Sequence, residues 1–165
     1  MKGKPIQSLP VLPPILIDTR EQAPFTFDHP TQAATLPTGD YSLRGLAEYV
    51  AIERKSLPDL CACIGRDRDR FKRELHRLQA YQCAAVVIEA DMGAIVAGEY
   101  RSRVHPAAIV GSLSKWLVRY RVPFLFAGTH GATVTLAILR NYHNHPAEML
   151  GAVTAEGSLT ASSLG

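Results

Sequence analysis

The sequence predicts an α/β sandwich whose central sheet is partly parallel. Short apolar runs that end in charged residues alternate along the chain with longer segments in which apolar residues recur at helical spacing. This alternation is typical of strands joined by helices that pack on a sheet. The 165 residues are 47% hydrophobic and 20% charged, which provides a core for one domain and excludes disordered, collagen-like and coiled-coil chains.

The first strands are short and are separated by turns. Residues 15–17 are apolar and residues 18–21 (DTRE) are polar, which is typical of a buried strand with charges at its carboxyl end. The Gly-Asp pair at 39–40 predicts a turn before a strand at 41–43, and another strand over residues 49–55 ends in charged residues. We expect the last two strands to form a hairpin.

Helices and strands alternate in the rest of the chain. Ser56 and Asp59 have the spacing of a capping box, which predicts a helix from there through Ile64. In the next helix, apolar residues at positions 71, 75 and 78 form one stripe that we expect to be buried. The same patterns predict helices over residues 68–82, 106–120 and 133–142, and strands over residues 84–89 and 123–127.

The two ends of the sequence differ from its middle. Residues 1–14 contain four prolines, which predicts an extended lead-in. Residues 147–165 are rich in Gly, Ser, Thr and Ala, which predicts a mobile tail. We therefore expect the folded domain to cover residues 15–146.

Cysteine usage and the N-terminal segment indicate the compartment. The three cysteines are few and odd in number, and the first ten residues lack the apolar region of a signal peptide. We expect a reducing, intracellular location, which is the cytoplasm for a prokaryotic or phage protein and the nucleus for a eukaryotic one. The longest apolar runs fall far short of the roughly 20 residues that cross a bilayer, so we expect no membrane partner.

Three acidic residues lie at the ends of the predicted strands. Asp18, Asp40 and Glu53 can point into one pocket, and Lys55 follows Glu53 on the same strand face. Carboxylate oxygens suit Mg²⁺ or Mn²⁺, and a nearby ammonium group can orient water or stabilise negative charge. The pattern is that of metal-dependent phosphodiester hydrolysis, although a solvated strand end whose charges pair across an edge is the favoured explanation when the pattern is taken alone.

Five segments follow one another in a definite order: residues 18–21 (DTRE), 39–41 (GDY), 52–55 (IERK) with Asp59, 70–78 (RFKRELHRL) and 86–89 (VVIE). Their order and spacing resemble the nuclease domain of XPF-type structure-selective endonucleases, the ERCC4 domain. The resemblance extends over residues 15–146, and several ordered motifs are far more specific than one. It implies a restriction-nuclease-like three-layer sandwich with a central mixed sheet flanked by helices.

The resemblance also implies roles for individual residues. Three carboxylates would hold a divalent metal, Mg²⁺ or Mn²⁺: Asp18, Asp40 and Glu53. Lys55 would be the catalytic lysine, and Arg20 and Arg54 would assist phosphate contact or hold the carboxylates in place. Asp59 is either a further catalytic residue or simply part of the cap of the following helix.

The function implied by the resemblance is hydrolysis of branched DNA, such as flaps, forks and nicked junctions, in repair or recombination. The sequence holds 19 residues after position 146, too few for the helix-hairpin-helix module of larger members, so we expect a stand-alone nuclease or one that takes DNA binding from a partner. Two alternatives remain open. One is a catalytically silent DNA-binding scaffold or partner subunit, and the other is a restriction- or recombination-type nuclease without selectivity for branches.

A basic segment is the candidate DNA contact. Residues 66–77 contain six Lys and Arg against three Asp and Glu, an excess as large as the net charge of +3 of the whole chain. Four arginines are placed to contact phosphates without reading base sequence: Arg66, Arg70, Arg73 and Arg77. A solvated helix with internal ion pairs is the alternative interpretation.

The helix predicted at residues 106–120 carries a broad apolar arc. Core packing is its simplest explanation. XPF-type nuclease domains dimerise, so the resemblance also implies a homodimer or heterodimer that uses this helix and the final one.

Overall fold

The chain folds around a mixed six-stranded sheet with helices on both faces. The structure is a computed structural model that describes residues 11–145, so the predicted tail and residues 1–10 of the predicted lead-in lie outside the described residues. The strands are β1 (Ile15–Asp18), β2 (Thr31–Ala34), β3 (Tyr41–Leu43), β4 (Val50–Ser56), β5 (Cys83–Glu89) and β6 (Phe124–Phe126). The helices are α1 (Leu57–Ile64), α2 (Arg68–Leu78), α3 (Met92–Ala97), α4 (Pro106–Tyr120) and α5 (Gly131–Asn144).

The sheet combines a central hairpin with parallel pairs on both sides. Its strand order is β2-β1-β3-β4-β5-β6. Strand β3 runs antiparallel to both β1 and β4, whereas β1 with β2, β4 with β5 and β5 with β6 are parallel. The predicted hairpin, the mixed sheet and the α/β sandwich are confirmed.

Alternation along the buried strands builds a core on each face of the sheet. In β5, Val86 and Ile88 belong to a cluster that also contains Trp116. This cluster packs the four helices α1, α2, α3 and α4 on one face of the sheet. The intervening Val87 joins a second cluster with Leu139 of α5 on the opposite face. Successive side chains of a strand point to opposite faces, so one apolar strand serves both layers.

Some predicted elements differ from the observed ones. Helix α4 has the predicted bounds, but α2 ends at Leu78 rather than at residue 82, because Leu78 is the last residue of its buried stripe. Strand β2 and helix α3 were not predicted. Strand β2 (TQAA) is an exposed edge strand defined by its parallel pairing with β1, and α3 is six residues long, so neither has a local pattern of its own.

Most of the apolar arc of α4 packs inside the domain. Ile109, Leu113, Trp116 and Tyr120 are all buried in the first core cluster. Leu117 beside them is 45% exposed and Val118 is 82% exposed, so part of the apolar surface of this helix faces solvent. No helix within residues 11–145 combines the length and apolar character needed to cross a membrane.

Candidate active site

A cavity of about 250 Å³ opens at one edge of the sheet, where β1 and β4 end and β3 begins. Helix α2 forms its opposite wall. Charged groups of both signs line it: Asp18, Asp40, Glu53, Glu74, Arg20, Lys55, Arg70 and Arg77. The structure thus brings the three predicted metal ligands and the predicted catalytic lysine to one cavity.

Backbone pairing between β1, β3 and β4 places the carboxylates side by side. The Asp18 N–H donates to the Asp40 carbonyl at 2.8 Å, and the Asp40 N–H donates to the Ile52 carbonyl at 2.8 Å. Gly39 precedes this crossing with a φ of 80°, and a Cβ there would lie 3.0 Å from the Ile52 carbonyl oxygen. Glycine is needed at this point because both the left-handed conformation and the close approach disfavour a side chain.

Asp18 is held as a charged carboxylate by its neighbours. Its oxygens accept hydrogen bonds from the Arg20 backbone N–H at 2.8 Å, from Arg20 Nε and Nη2 at 2.7 and 2.9 Å, and from the Leu36 N–H at 2.7 Å. The Arg20 side chain is the main cause that lowers the pKa of Asp18 to about 2. Arg20 therefore fixes Asp18 rather than standing free in the cavity.

Asp40 and Glu53 are in a different electrostatic state. Burial raises the pKa of Asp40 to about 6, although its Oδ2 accepts a hydrogen bond from the Arg54 N–H at 2.7 Å. Burial also raises the pKa of Glu53 well above its usual range, against the opposing effect of the Lys55 ammonium group. For both carboxylates the effect of burial outweighs that of the neighbouring Lys55 ammonium group.

Lys55 lies between two carboxylates and an aromatic ring. Its Nζ forms ion pairs with Glu53 and, at 3.8 Å, with Glu74 Oε2, and it lies 5.2 Å from the centroid of the Phe71 ring. Burial by itself lowers the pKa of Lys55, but the two carboxylates outweigh burial and raise it above the ordinary value. Lys55 is thus a charged ammonium group at the cavity wall.

Glu74 is a cavity residue that the sequence reasoning did not assign to the site. The signal was its position on α2, four residues after Arg70 and three before Arg77, which places the three side chains on one helix face. In the sequence alone, an acid among six cations is most simply an ion-pair partner within its helix. The structure instead directs it across the cavity to Lys55.

The Arg54 side chain does not line the cavity. Because neighbouring residues of a strand alternate, it points away from Glu53 and Lys55. Its Nη2 donates to Glu89 at 2.7 Å and its Nη1 to Glu21 at 3.4 Å, and the guanidinium lies over the Phe25 ring. Of the two predicted roles, the geometry favours holding a carboxylate in place, through the backbone bond to Asp40.

Asp59 also lies outside the cavity. It is exposed at the first turn of α1, where its N–H donates to Ser56 Oγ at 3.2 Å and its Oδ2 accepts from the Ser56 hydroxyl at 2.6 Å. This geometry is that of a helix cap, so the structure favours the capping role over a catalytic one.

The predicted DNA-binding arginines are distributed between the cavity rim and the outer surface. Arg70 and Arg77 line the cavity, while Arg66 and Arg73 are exposed and do not line it. Arg68 of the same segment has a structural role instead, since it donates to the Ile64 carbonyl and to Ser112 Oγ of α4. The structure thus separates anchoring from solvent-facing arginines.

The donor chemistry of the cavity suits a hard cation. Asp40 and Glu53 supply carboxylate oxygens, which Mg²⁺ and Mn²⁺ prefer, and burial disfavours their charged forms until a cation is bound. Asp18 would have to release donors of Arg20 to join them. Within residues 11–145, no group of three or more His, Cys, Asp or Glu side chains is already arranged to hold a metal ion.

A mixed sheet flanked by helices, with carboxylates and a lysine where its strands end, defines an α/β domain of the nuclease type. The family model of the ERCC4 domain matches residues 17–137. The chain therefore belongs to the ERCC4 domain family, whose members are nucleases.

Solved structures share this fold. XPF from Aeropyrum pernix is 19% identical, with a TM-score of 0.64, over 84% of this chain and 69% of that chain. XPF from Aeropyrum pernix in complex with DNA is 21% identical, with a TM-score of 0.61, over 78% of this chain and 64% of that chain. No curated protein matches the chain significantly. The resemblance to XPF-type nuclease domains is confirmed.

Proposed function

We propose that the chain is a divalent-metal-dependent endonuclease that hydrolyses phosphodiester bonds in branched DNA, in repair or recombination. The observation that carries the proposal is the cavity that combines the buried Glu53 and the half-buried Asp40 with the Lys55 ammonium group. Membership of a nuclease family agrees with it. The XPF complex with DNA supports DNA as the partner.

Asp40 and Glu53 would hold Mg²⁺ or Mn²⁺, with Asp18 as the third carboxylate. Bound there, the cation would supply a nucleophilic water at neutral pH and stabilise negative charge on the phosphate. The cavity fits this role because the carboxylates lie together on its wall and burial disfavours the charged forms of Asp40 and Glu53 until a cation is bound.

The protein groups around the carboxylates have separate tasks. Lys55 keeps its proton and stabilises negative charge that develops on the phosphate oxygens. Arg70 and Arg77 at the rim bind neighbouring phosphates of the backbone. Arg20 holds Asp18 charged, and the Arg54 N–H orients Asp40.

Arginines that contact phosphates do not read base sequence, so they provide no sequence preference. The proposed preference for branched DNA rests on the family resemblance.

A homodimer or heterodimer also belongs to the proposal. An apolar groove on α5, lined by Val134, Ile138 and Tyr142, and the exposed Leu117 and Val118 of α4 offer surfaces for a second copy. A monomeric mass by light scattering at micromolar concentration would count against the dimer.

Cleavage assays on labelled flap, fork, nicked-junction and linear duplex DNA test the function, each with Mg²⁺, Mn²⁺ or EDTA. The test variant is Lys55→Ala, and its matched control is Lys115→Ala at an exposed position of α4. We expect metal-dependent cutting of branched DNA by the wild type and the control, and loss of cutting in Lys55→Ala.

Other outcomes identify the alternatives. Binding without cleavage under every metal favours the silent scaffold or partner subunit. Equal cutting of linear and branched DNA favours a restriction- or recombination-type nuclease without branch selectivity.

A further inference from the structure

Glu74 has a contact that its own helix does not explain. Within the described residues its ion pair is with Lys55, at 3.8 Å across the cavity, although Arg70 and Arg77 lie one helical turn away on either side. Its side chain is 22% exposed and faces the cavity. A surface acid in so basic a helix would ordinarily pair with those arginines.

The location of Glu74 is electrostatically costly. The cavity already holds three carboxylates, and Glu74 adds a fourth. Like charges that share one cavity repel one another unless a cation lies between them. Lys55 is the protein cation that contacts both glutamates.

The two glutamates are not equivalent as partners of Lys55. Under the proposed function, Glu53 gives its negative charge to the divalent cation, which weakens its attraction for the ammonium group. Glu74 then becomes the carboxylate that keeps Lys55 Nζ at the cavity wall, because an ammonium group with three donors needs an anionic partner when it is largely buried.

We propose that Glu74 is a positioning residue that holds Lys55 from helix α2 during the reaction. The inference rests on the proposed function and adds to it a residue that acts through Lys55. Since Arg70 and Arg77 flank Glu74 on the same helix face, α2 sets the location of the phosphate contacts and of the lysine together.

Single-turnover cleavage of branched DNA with Mn²⁺ tests the role. Glu74→Gln keeps the shape and removes the charge, and Asp69→Asn is its matched control, an exposed acid of α2 that pairs with Lys72. We expect Glu74→Gln to slow cleavage about 10- to 100-fold with the DNA dissociation constant and the Mn²⁺ half-saturation within about twofold of the control. Asp69→Asn should cleave at the wild-type rate.

The double variant separates positioning from a direct role. If Glu74 acts through Lys55, Lys55→Met with Glu74→Gln is as slow as Lys55→Met alone. Independent, multiplying losses overturn the proposal, and so does a wild-type rate in Glu74→Gln. A shift in Mn²⁺ half-saturation as the main effect also overturns it, because Glu74 would then be a cation ligand.

A measurement without DNA or metal keeps this proposal separate from the nuclease proposal. Urea unfolding midpoints in EDTA are compared for the wild type, Lys55→Met, Glu74→Gln and the double variant. Non-additive midpoint shifts support the contact even in a chain that cuts no DNA, which would contradict the proposed function alone. Additive shifts overturn the positioning contact even if the chain is an active nuclease.

Discussion

The backbone N–H of Arg54 donates a 2.7 Å hydrogen bond to Asp40 Oδ2, while the side chain of the same residue lies on the opposite face of the sheet. There it bridges Glu89 at the end of β5 and Glu21 in the loop after β1. Arg54 thus holds Asp40 through its main chain. Its guanidinium group connects β4 to the end of β5 and to the loop after β1. The orientation of Asp40 depends on contacts made outside the cavity.

Replacement of Arg54 tests this dependence. Arg54→Met leaves two partly buried carboxylates without their cation, so we expect the free energy of unfolding to fall by about 1–3 kcal/mol. Cleavage should slow because β4 no longer holds Asp40 firmly, whereas DNA affinity should stay within about twofold, since Arg54 is away from the cavity. Urea unfolding, cleavage rates and binding titrations measure the three effects.

Arg44→Met is the matched control for Arg54→Met, because Arg44 is exposed. It should keep the stability and the activity of the wild type. If Arg54→Met weakens DNA binding as strongly as cleavage, Arg54 contacts DNA and the positioning role is wrong.

The cation-free protein should lose stability as the pH rises through the range in which Asp40 ionises. Burial raises the pKa of Asp40 from 3.8 to about 6. Between these two pH values, the folded state keeps a proton on Asp40 that the unfolded state has released. The stability gained from that proton is complete below pH 3.8 and is lost as the pH rises through about 6. Asp40→Asn should remove this loss and stabilise the apo protein at pH 7 by about 1–3 kcal/mol.

Urea unfolding in EDTA between pH 4 and pH 8 measures the effect, and Asp28→Asn at an exposed loop position is the control. We expect Asp40→Asn to be folded and inactive. Added Mg²⁺ or Mn²⁺ should raise the unfolding midpoint of the wild type and leave that of Asp40→Asn nearly unchanged, because a ligand stabilises the state it binds. Retained cleavage in Asp40→Asn would contradict the site assignment.

Gly131 at the start of α5 is expected to tolerate no side chain. A Cβ there would lie 2.3 Å from Cζ of Phe25, whose ring is stacked on Tyr41 at a centroid distance of 5.3 Å and lies beneath the Arg54 guanidinium. Gly131→Ala should therefore displace a packed ring and cost about 1–3 kcal/mol of stability.

Gly111→Ala is the control for this steric effect. Gly111 lies within α4 and a Cβ there meets nothing within 4 Å, so alanine should stabilise the protein by about 0.5–1 kcal/mol through helix propensity. Thermal or urea unfolding compares the two variants. Equal stability of Gly131→Ala and the wild type would show that the Phe25 ring moves aside without cost.

Much of the fold and of the candidate site could be predicted because both follow local patterns. The alternation of strands with apolar helical stripes gave the sandwich, and the strand ends gave the positions of Asp18, Asp40 and Glu53 in one cavity. Side chains alternate between the two faces of a strand, so the sequence also indicates that the Arg54 side chain lies on the face opposite Glu53 and Lys55. Resemblance of the whole four-residue motif does not show this difference.

The features that escaped prediction depend on partners distant in sequence. Strand β2 exists through its pairing with β1, and its four residues carry no apolar alternation. Glu74 looks like an ion-pair partner within a basic helix until α2 is packed against β4, which brings Lys55 to it. Tertiary contacts decide both cases, so local propensity and spacing cannot resolve them.

The salt dependence of DNA binding distinguishes the arginines of the basic segment. Each phosphate contact contributes about 0.9 to the slope of the logarithm of the binding constant against the logarithm of salt concentration, because counterions are released. Arg70→Gln and Arg77→Gln should each reduce the slope by about 1, since both side chains line the cavity rim. Arg140→Gln on α5, which packs on the opposite face of the sheet, should leave the slope unchanged. Binding titrations between 50 and 200 mM salt, roughly the range over which such contacts are felt, give the slopes. If Arg70→Gln and Arg77→Gln leave the slope unchanged, DNA does not enter by the α2 face, and the basic segment is only a solvated helix surface.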